Sequence, residues 1–219
     1  TDASTGCVGN MTGSASIGTY PLPVVYNVTG GGNYCFGGTG VNVGLSGSNA
    51  GISYQLWSGG SPVSSPVPGT GAAISFGLQM AAGSYTVVAT NTTTFCDKTM
   101  NGTANVVINP LPTLYNITGG GNYCAGGTGV VIGLDGSDAG TNYQLMNGST
   151  PMGAPKPGTG LAISFGWQTM AGAYTVMATT TSTTCVNTMT GSVNVNIDAL
   201  PTAYNVTGGG NYCSGGAGV

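Results

Sequence analysis

The sequence predicts an all-β protein built from tandem β-sandwich repeats of about 89 residues. The segment from Val25 to Cys35 returns almost unchanged at 114–124 and again at 203–213, each copy 89 positions after the last. Within a repeat, apolar and polar residues alternate as they do on the two faces of a half-buried strand. Residues that favour exposed helical faces are scarce, because the 219 residues contain two Lys, no Arg and no Glu.

The 89-residue offset sets the domain organisation. Residues 1–20 are predicted to be the C-terminal part of one repeat, 21–109 and 110–198 to be complete repeats, and 199–219 to be the start of another. A natural protein seldom begins and stops within a repeat. We therefore expect further repeats on both sides.

Period-two alternation places the strands within each repeat. Val41–Leu45 is predicted as the second strand (strand B), and Ser84–Ala89 as the sixth (strand F). About seven short strands in about 89 residues fit one immunoglobulin-like sandwich. The remaining apolar segments and the turns of the first complete repeat are Ile52–Leu56, Ile74–Phe76, Val106–Ile108, Ser46–Ser48 and Pro66–Gly69.

The glycine-rich stretch Gly30–Gly40 is predicted to be a tight interstrand loop in which glycine adopts positive φ. A phosphate-binding loop has a similar composition. It needs a following helix and usually a lysine, however, and the sequence shows neither here.

The composition argues against catalysis and against several kinds of partner. The chain has no His and only five acidic residues, so a Ser-His-Asp triad is excluded and general acid–base groups are scarce. Two lysines cannot neutralise a nucleic-acid backbone. No apolar run approaches the roughly 20 residues of a membrane span. We expect a non-enzyme with no cofactor, no metal, no nucleic-acid partner and no membrane span.

A family resemblance covers essentially the whole chain. It is carried by the motifs GGGNYCFGGTGVNVGLSGS, YQLW, PGTGAAISFG, AAGSYTVVATN and GTANVVI together with both cysteine positions. These motifs resemble the PKD-like, Ig-like repeats of large secreted Bacteroidetes surface proteins of the adhesin type. The resemblance implies secretion by the type IX route and a role in adhesion or surface filaments. It implies no catalytic residues.

The cysteines follow the same repeat, and an exported chain is expected to oxidise them. Cys35 precedes strand B, at the end of the sandwich that carries the AB loop (the AB end). Cys96 follows strand F in the hairpin of the opposite end (the FG end). Strands of about 8 to 10 residues separate the two ends by roughly 25–35 Å, whereas bridged Cα atoms lie within about 7 Å. The six candidates are Cys7, Cys35, Cys96, Cys124, Cys185 and Cys213.

Two connectivities follow from these positions. In a head-to-tail rod the AB end of one repeat faces the FG end of the next, which favours an inter-repeat bond between Cys35 and Cys185. The alternative is an intra-repeat pattern, Cys35 with Cys96 and Cys124 with Cys185. Both stay open at the level of sequence.

Two aspartates of the second complete repeat could be read as calcium ligands or as part of a turn. Asp135 and Asp138 suggest calcium, but Ser46 and Asn49 occupy their positions in the preceding repeat, which favours a solvated turn.

The aromatic residues divide into a repeated pair and an unrepeated one. Tyr85 and Tyr174 stand at the start of strand F, where a tyrosine corner is expected. Trp57 and Trp167 are not equivalent positions, so no repeated glycan-stacking row is predicted.

These inferences predict a non-catalytic, extracellular or cell-surface protein. Its function is expected to be a stalk or filament segment of a secreted adhesin or extracellular fibre. The expected partners are neighbouring repeats of the same chain, like chains in a fibre, or a surface glycan. The alternative is a carbohydrate-binding or accessory module of a secreted multidomain enzyme.

Overall fold

The computed structural model describes residues 1–218, and within that range every regular element is a β-strand. The chain divides into two compact units, one from Thr1 to Asn109 and one beginning at Pro110. Each unit contains one complete copy of the repeat. These copies are called module 1 (residues 21–109) and module 2 (residues 110–198).

The strands of the two modules correspond closely along the chain. Module 1 contains β1 Val28–Gly30, β2 Gly32–Cys35, β3 Val41–Leu45, β4 Ile52–Ser58, β5 Ser61–Pro62, β6 Val67–Pro68, β7 Ile74–Gln79, β8 Gly83–Asn91, β9 Asp97–Thr99 and β10 Ala104–Asn109. Module 2 contains β11 Ile117–Gly119, β12 Gly121–Cys124, β13 Val130–Leu134, β14 Thr141–Asn147, β15 Thr150–Pro157, β16 Ile163–Gln168, β17 Gly172–Thr180, β18 Val186–Thr188 and β19 Val193–Asp198.

Each module is a two-sheet sandwich with immunoglobulin-like strand order. In module 1 one sheet has the order β1-β3-β7 and the other β2-β10-β8-β4-β5, which correspond to strands A-B-E and A′-G-F-C-C′. Module 2 repeats this arrangement as β11-β13-β16 and β12-β19-β17-β14-β15. The predicted fold class, an all-β Ig-like sandwich, is confirmed.

The core of module 1 comes from the predicted alternation on β4 and β8. Tyr54, Leu56, Tyr85 and Val87 are each at most 1% exposed, while their neighbours along the strands are partly buried or exposed. Val87 stands two residues after Tyr85, where antibody-type domains carry a disulfide cysteine. An aliphatic core therefore takes the place of that bond.

The first strand changes sheets at Gly31. β1 pairs antiparallel with β3, whereas β2 pairs parallel with β10. Gly30, Gly31 and Gly32 all have positive φ, at 87°, 76° and 125°. A Cβ on Gly31 would lie 2.6 Å from the carbonyl oxygen of Asn105, so the crossing needs glycine for space as well as for conformation.

Two predicted loop segments contain strands. Part of the Gly30–Gly40 loop forms β2, and part of the Pro66–Gly69 turn forms β6, which pairs with Ser53 and Tyr54 of β4. Both predictions were wrong in part, because these short strands are defined by distant partners and not by local alternation. The predicted positive φ is confirmed for five glycines of this stretch and is absent at Gly38.

The segments outside the modules, residues 1–20 and 199–218, contain no strand in the described structure. Met11 is 98% exposed, whereas Met100 and Met189, 89 and 178 positions later, are 3% and 2% exposed. The methionine at this position of the repeat is therefore buried in the two complete modules and exposed in the partial copy that has no strands.

Candidate functional site at the cysteine-bearing ends of the modules

Cys35 is the last residue of β2 and lies at the AB end of module 1. It is opposite Asn109 in the parallel β2–β10 ladder. The Phe36 amide donates to the Asn109 carbonyl at 2.8 Å, and the Gly38 amide donates to the Cys35 carbonyl at 2.9 Å. Phe36 is 68% exposed. The tight turn into β3 thus presents a partly buried sulfur beside an exposed aromatic ring.

Cys96 lies at the FG end, in the hairpin between β8 and β9. The Asn91 amide donates to the Cys96 carbonyl at 3.0 Å, and the Phe95 amide donates to the Asn91 carbonyl at 2.9 Å. The Asn91 side-chain oxygen accepts from the amides of Thr93 and Thr94 at 2.9 and 3.1 Å. These bonds define the shape of the hairpin tip.

Phe95 completes this hairpin in an uncommon conformation. Its φ is 57° and its ring is 77% exposed. Thr184 has a φ of 58° at the equivalent position beside Cys185. Both hairpins therefore contain a non-glycine residue in the left-handed region.

The two cysteines of one module lie at opposite ends of its larger sheet. Gly83, the first residue of β8, lies opposite Val106, and β2 continues past that point to Cys35. Cys96 follows the other end of β8, whose nine residues span about 26 Å. An intra-module bond requires Cα atoms within about 7 Å. The geometry of module 1 therefore excludes a bond between Cys35 and Cys96.

Module 2 has the same arrangement. Cys124 ends β12 opposite Asp198, and Cys185 follows β17, where its carbonyl accepts from the Thr180 amide at 2.9 Å. β17 also has nine residues. The same distance argument separates Cys124 from Cys185.

The cysteines differ in oxidation state. Cys35 and Cys185 are disulfide-bonded. Within the described residues the free thiols are Cys7, Cys96, Cys124 and Cys213. Cys185 is 0% exposed, whereas the equivalent Cys96 is partly exposed. The pairing predicted for Cys35 and Cys185 stays a prediction.

Asp135 and Asp138 act as hydrogen-bond acceptors in a structural turn. The Tyr115 hydroxyl donates to Asp138 Oδ1 at 2.7 Å, and the backbone and side-chain amides of Asn116 donate to Asp135 at 2.9 and 2.7 Å. The bond from Tyr115 lowers the pKa of Asp138 and raises the pKa of Tyr115 to about 12. No cluster of three or more metal-ligating side chains occurs in residues 1–218.

Module 1 builds this turn with uncharged groups. The Tyr26 hydroxyl donates to Asn49 Oδ1 at 2.9 Å, and the Asn27 amide donates to Ser46 Oγ at 3.0 Å. The same contacts are made with either an amide or a carboxylate, which agrees with the turn interpretation.

The tyrosine corner is present in both modules. The hydroxyl of Tyr85 donates to the Ala81 carbonyl at 2.8 Å, and that of Tyr174 donates to the Met170 carbonyl at 2.8 Å. Both side chains are at most 1% exposed. This prediction is confirmed.

The tryptophans lie in different environments. Trp167 on β16 is 63% exposed, and its equivalent in module 1 is Leu78, which is 58% exposed. The indole nitrogen of Trp57 is buried and has no hydrogen-bond partner in the described part of the chain. The exposed position on this edge strand is thus apolar in both modules and aromatic in one.

Comparisons with known proteins find only distant structural similarities. No protein-family model matches the sequence, and no curated protein matches it. It is similar in structure to fibronectin(III)-like modules of Clostridium thermocellum CbhA, at 12% identity and TM-score 0.38, over 82% of this chain and 100% of that one. It is also similar to murine CEACAM1b, at 14% identity and TM-score 0.34, over 80% of this chain and 99% of that one. The Ig-like class rests on the strand order described above.

Both modules contain one hydrogen bond that the sequence did not predict. The Sδ atoms of Met100 and Met189 accept hydrogen bonds from the backbone amides of Tyr26 and Tyr115, each at 3.4 Å. The signal was the recurrence of methionine at the same position of each repeat.

The described chain also contains no helix long and apolar enough to cross a bilayer.

Proposed function

We propose that this chain is a structural segment of an extracellular stalk or filament, in which Ig-like modules follow one another end to end. The observation that carries the proposal is the placement of the cysteines. Every complete module carries one cysteine at its AB end and one at its FG end, at positions where they cannot bond to each other.

A simple rule accounts for the oxidation states. If the AB-end cysteine of each module bonds to the FG-end cysteine of the following module, Cys35 pairs with Cys185. No other two of the six cysteines stand in that relation. The disulfide-bonded state of Cys35 and Cys185 and the free thiols of the other four agree with this rule. We therefore propose an inter-module disulfide between Cys35 and Cys185.

The composition supports an extracellular setting. Disulfides persist where the surroundings do not reduce them. Charged residues make up 3% of the chain, so contacts through its surface depend little on ionic strength. We propose that the chain belongs to a secreted surface protein of the adhesin type that its repeats resemble, exported by the type IX route.

The test is the length of the particle in solution. Chains with one, two and three modules are compared by small-angle X-ray scattering. The proposal predicts that the maximum dimension grows by a constant step for each added module. A compact particle in which neighbouring modules share one core would contradict it.

Trp167 favours a second candidate function, a carbohydrate-binding module. An exposed indole ring at an edge strand is suited to stacking on a sugar. Binding to polysaccharides is measured for the parent chain and for Trp167→Leu, which places the residue of module 1 at this position. Affinity that falls at least tenfold in the variant would support glycan binding, and equal affinity would exclude Trp167 as the platform.

A further inference from the structure

We propose that this chain is a load-bearing tether in which a covalent path carries tension past both hydrophobic cores. The path consists of the first strands of module 1, a disulfide from Cys35 to Cys185, and the last strands of module 2. The inference rests on the inter-module disulfide proposed above and adds a mechanical role to it.

In module 1 the path follows the first two strands in a single direction. These residues lie parallel to the end of the module at two levels, through the bridge between Asn27 and Asn101 and through the β2–β10 ladder, which ends at Cys35 and Asn109. The Val28 amide donates to the Asn101 carbonyl at 2.8 Å. Residues 27–35 therefore lead directly to the AB end, where Cys35 is disulfide-bonded.

In module 2 the path continues through the last two strands. Cys185 lies at the FG end, and β18 and β19 follow it along the chain. Both strands pair antiparallel with β17, so they run in the same direction towards the AB end. β19 ends there at Asp198, opposite Cys124. The 14 residues from Cys185 to Asp198 thus cover the length of the module.

The path leads onward after module 2. The chain beyond Asp198 enters another copy of the repeated motif at 203–213, which ends at Cys213. That cysteine has the sequence position of Cys35, from which the path leaves module 1. The same succession of strands and disulfide can therefore repeat along a longer array.

Most of both hydrophobic cores lies off this path. The buried side chains come mainly from β3, β4 and β8 in module 1 and from β13, β14 and β17 in module 2. All six strands belong to residues 36–184, the segment that the disulfide encloses. A pull along the path therefore does not draw these strands apart.

Without the disulfide, tension has to pass through the sheets. It enters module 1 ahead of β1 and leaves after Asn109, the last residue of β10. Because β2 and β10 are parallel, this pull moves them past each other and loads their four paired positions at once. The hydrogen bonds between them are much weaker than covalent bonds, so the module unfolds. β12 and β19 of module 2 have the same parallel arrangement.

The two bonded cysteines are shielded from solvent. Cys185 is 0% exposed, and Cys35 is partly buried. Reduction by exchange requires a thiolate to reach one of the two sulfurs. We therefore expect the covalent path to stay closed in an oxidising environment.

The experiment stretches single molecules of the full 219-residue chain between handles attached to the exposed thiols of Cys7 and Cys213. Cys96→Ser and Cys124→Ser prevent attachment elsewhere. A third change, Val87→Cys, places a reporter in the core of module 1, where the side chain is 0% exposed and a thiol reagent reaches it only after unfolding. This chain is called the tethered parent.

The matched variant adds Cys35→Ser and Cys185→Ser to the tethered parent. Its fully stretched length is expected to be greater by about 540 Å, because the 150 residue steps from Cys35 to Cys185 are released at about 3.6 Å each. Its modules should unfold in steps, and the reporter should react at the same force. At that force we expect no unfolding step in the tethered parent and labelling at least tenfold slower. Circular dichroism without load verifies that both chains fold.

Two results would overturn the inference, and they differ in what else they remove. Equal stretched lengths of the tethered parent and the variant would show that no bond joins the modules, which removes the inter-module disulfide as well. A short stretched length with a reporter that reacts as fast as in the variant would leave that disulfide and the proposed function intact. It would show that the bond does not divert tension from the core.

Discussion

Tyrosine hydroxyls hold the loops of each module in place. Tyr85 donates to the Ala81 carbonyl, and Tyr54 accepts the Asn49 amide at 2.9 Å. Burial raises the pKa of both tyrosines, so both stay protonated throughout the neutral range. The loops are therefore fixed by buried, uncharged groups in a chain with few ion-pairing residues.

Replacement of Tyr85 by Phe tests the contribution of the corner hydroxyl. The change leaves the ring in the core and removes the 2.8 Å bond to Ala81. We expect the free energy of unfolding to fall by about 1 kcal/mol, the usual net value of one hydrogen bond. The measurement is urea unfolding followed by circular dichroism. The control is Tyr20→Phe, at a residue 69% exposed, where a change below about 0.5 kcal/mol is expected. Equal effects at the two positions would contradict the role assigned to the corner.

Asp138 gives module 2 an acid sensitivity that module 1 lacks at this turn. The Tyr115 hydroxyl lowers the pKa of this carboxyl below its ordinary value of 3.8, so folding favours the ionised form. This contribution to stability is complete above that ordinary value and is lost as the pH falls through the lowered pKa of the folded state.

The prediction is tested with Asp138→Asn. The melting temperature of the parent chain is expected to fall between pH 5 and pH 2 by a few degrees more than that of the variant. Asn49→Asp, the reciprocal change in module 1, is expected to add acid sensitivity. If parent and Asp138→Asn show the same pH dependence in thermal melts, ionisation of Asp138 contributes nothing to stability.

At the scale of elements, the change of sheet between β1 and β2 determines where Cys35 lies. β2 follows β10 in parallel as far as Asn109, which carries Cys35 to the AB end of the module. Gly31 makes the crossing, with a φ of 76° and no room for a Cβ. Loss of this crossing would displace the cysteine from its position.

Gly31→Ala is expected to destabilise module 1 strongly. The matched control is Gly59→Ala, where φ is 58° but nothing lies within 4 Å of the added carbon. The control should cost about 1 kcal/mol, the conformational penalty alone. Gly31→Ala adds the clash with Asn105, so we expect at least twice that loss in chemical unfolding. A loss no larger than the control would show that the crossing tolerates a side chain.

The elements differ in how far sequence alone predicts them. β3, β4 and β8 follow from period-two alternation, because their apolar faces pack in one core and the pattern is local. β2 and β6 escape such reasoning, because each is short and is defined by pairing with a strand distant in sequence. The left-handed Phe95 was also unpredicted, since glycine is the residue that usually marks such a position.

At the scale of the whole molecule, the sequence predicted where the cysteines lie in each module. It did not predict their connectivity or their oxidation states. The 89-residue offset and the assignment of strands B and F place Cys35 and Cys96 at opposite ends of one module. Sequence left two connectivities open, because the distance between the ends depends on the folded sheet. Sequence also does not give the oxidation states, in which Cys35 and Cys185 are disulfide-bonded while their equivalents Cys124 and Cys96 are free thiols.

The proposed disulfide predicts a redox-dependent stability. Reduction, or Cys35→Ser, is expected to lower the free energy of unfolding by about 2–4 kcal/mol, because the unfolded chain gains freedom. Cys96→Ser removes a free thiol and is expected to leave both stability and reductant sensitivity unchanged. The measurement is thermal unfolding with and without reductant. Insensitivity of the parent chain to reductant would count against the bond.

The most direct test of the end-to-end account is a single proteolytic cut. Trypsin has one usable site, after Lys98, because Pro157 follows Lys156. The chain with Cys7→Ser and Cys213→Ser is denatured without reductant, alkylated and digested. A bond between Cys35 and Cys185, identified by peptide mapping of the linked fragments, keeps the two fragments together until reductant is added, which is the result we predict. Separation of the fragments without reductant, with Cys35 linked to Cys96 or Cys124 linked to Cys185, would contradict the account.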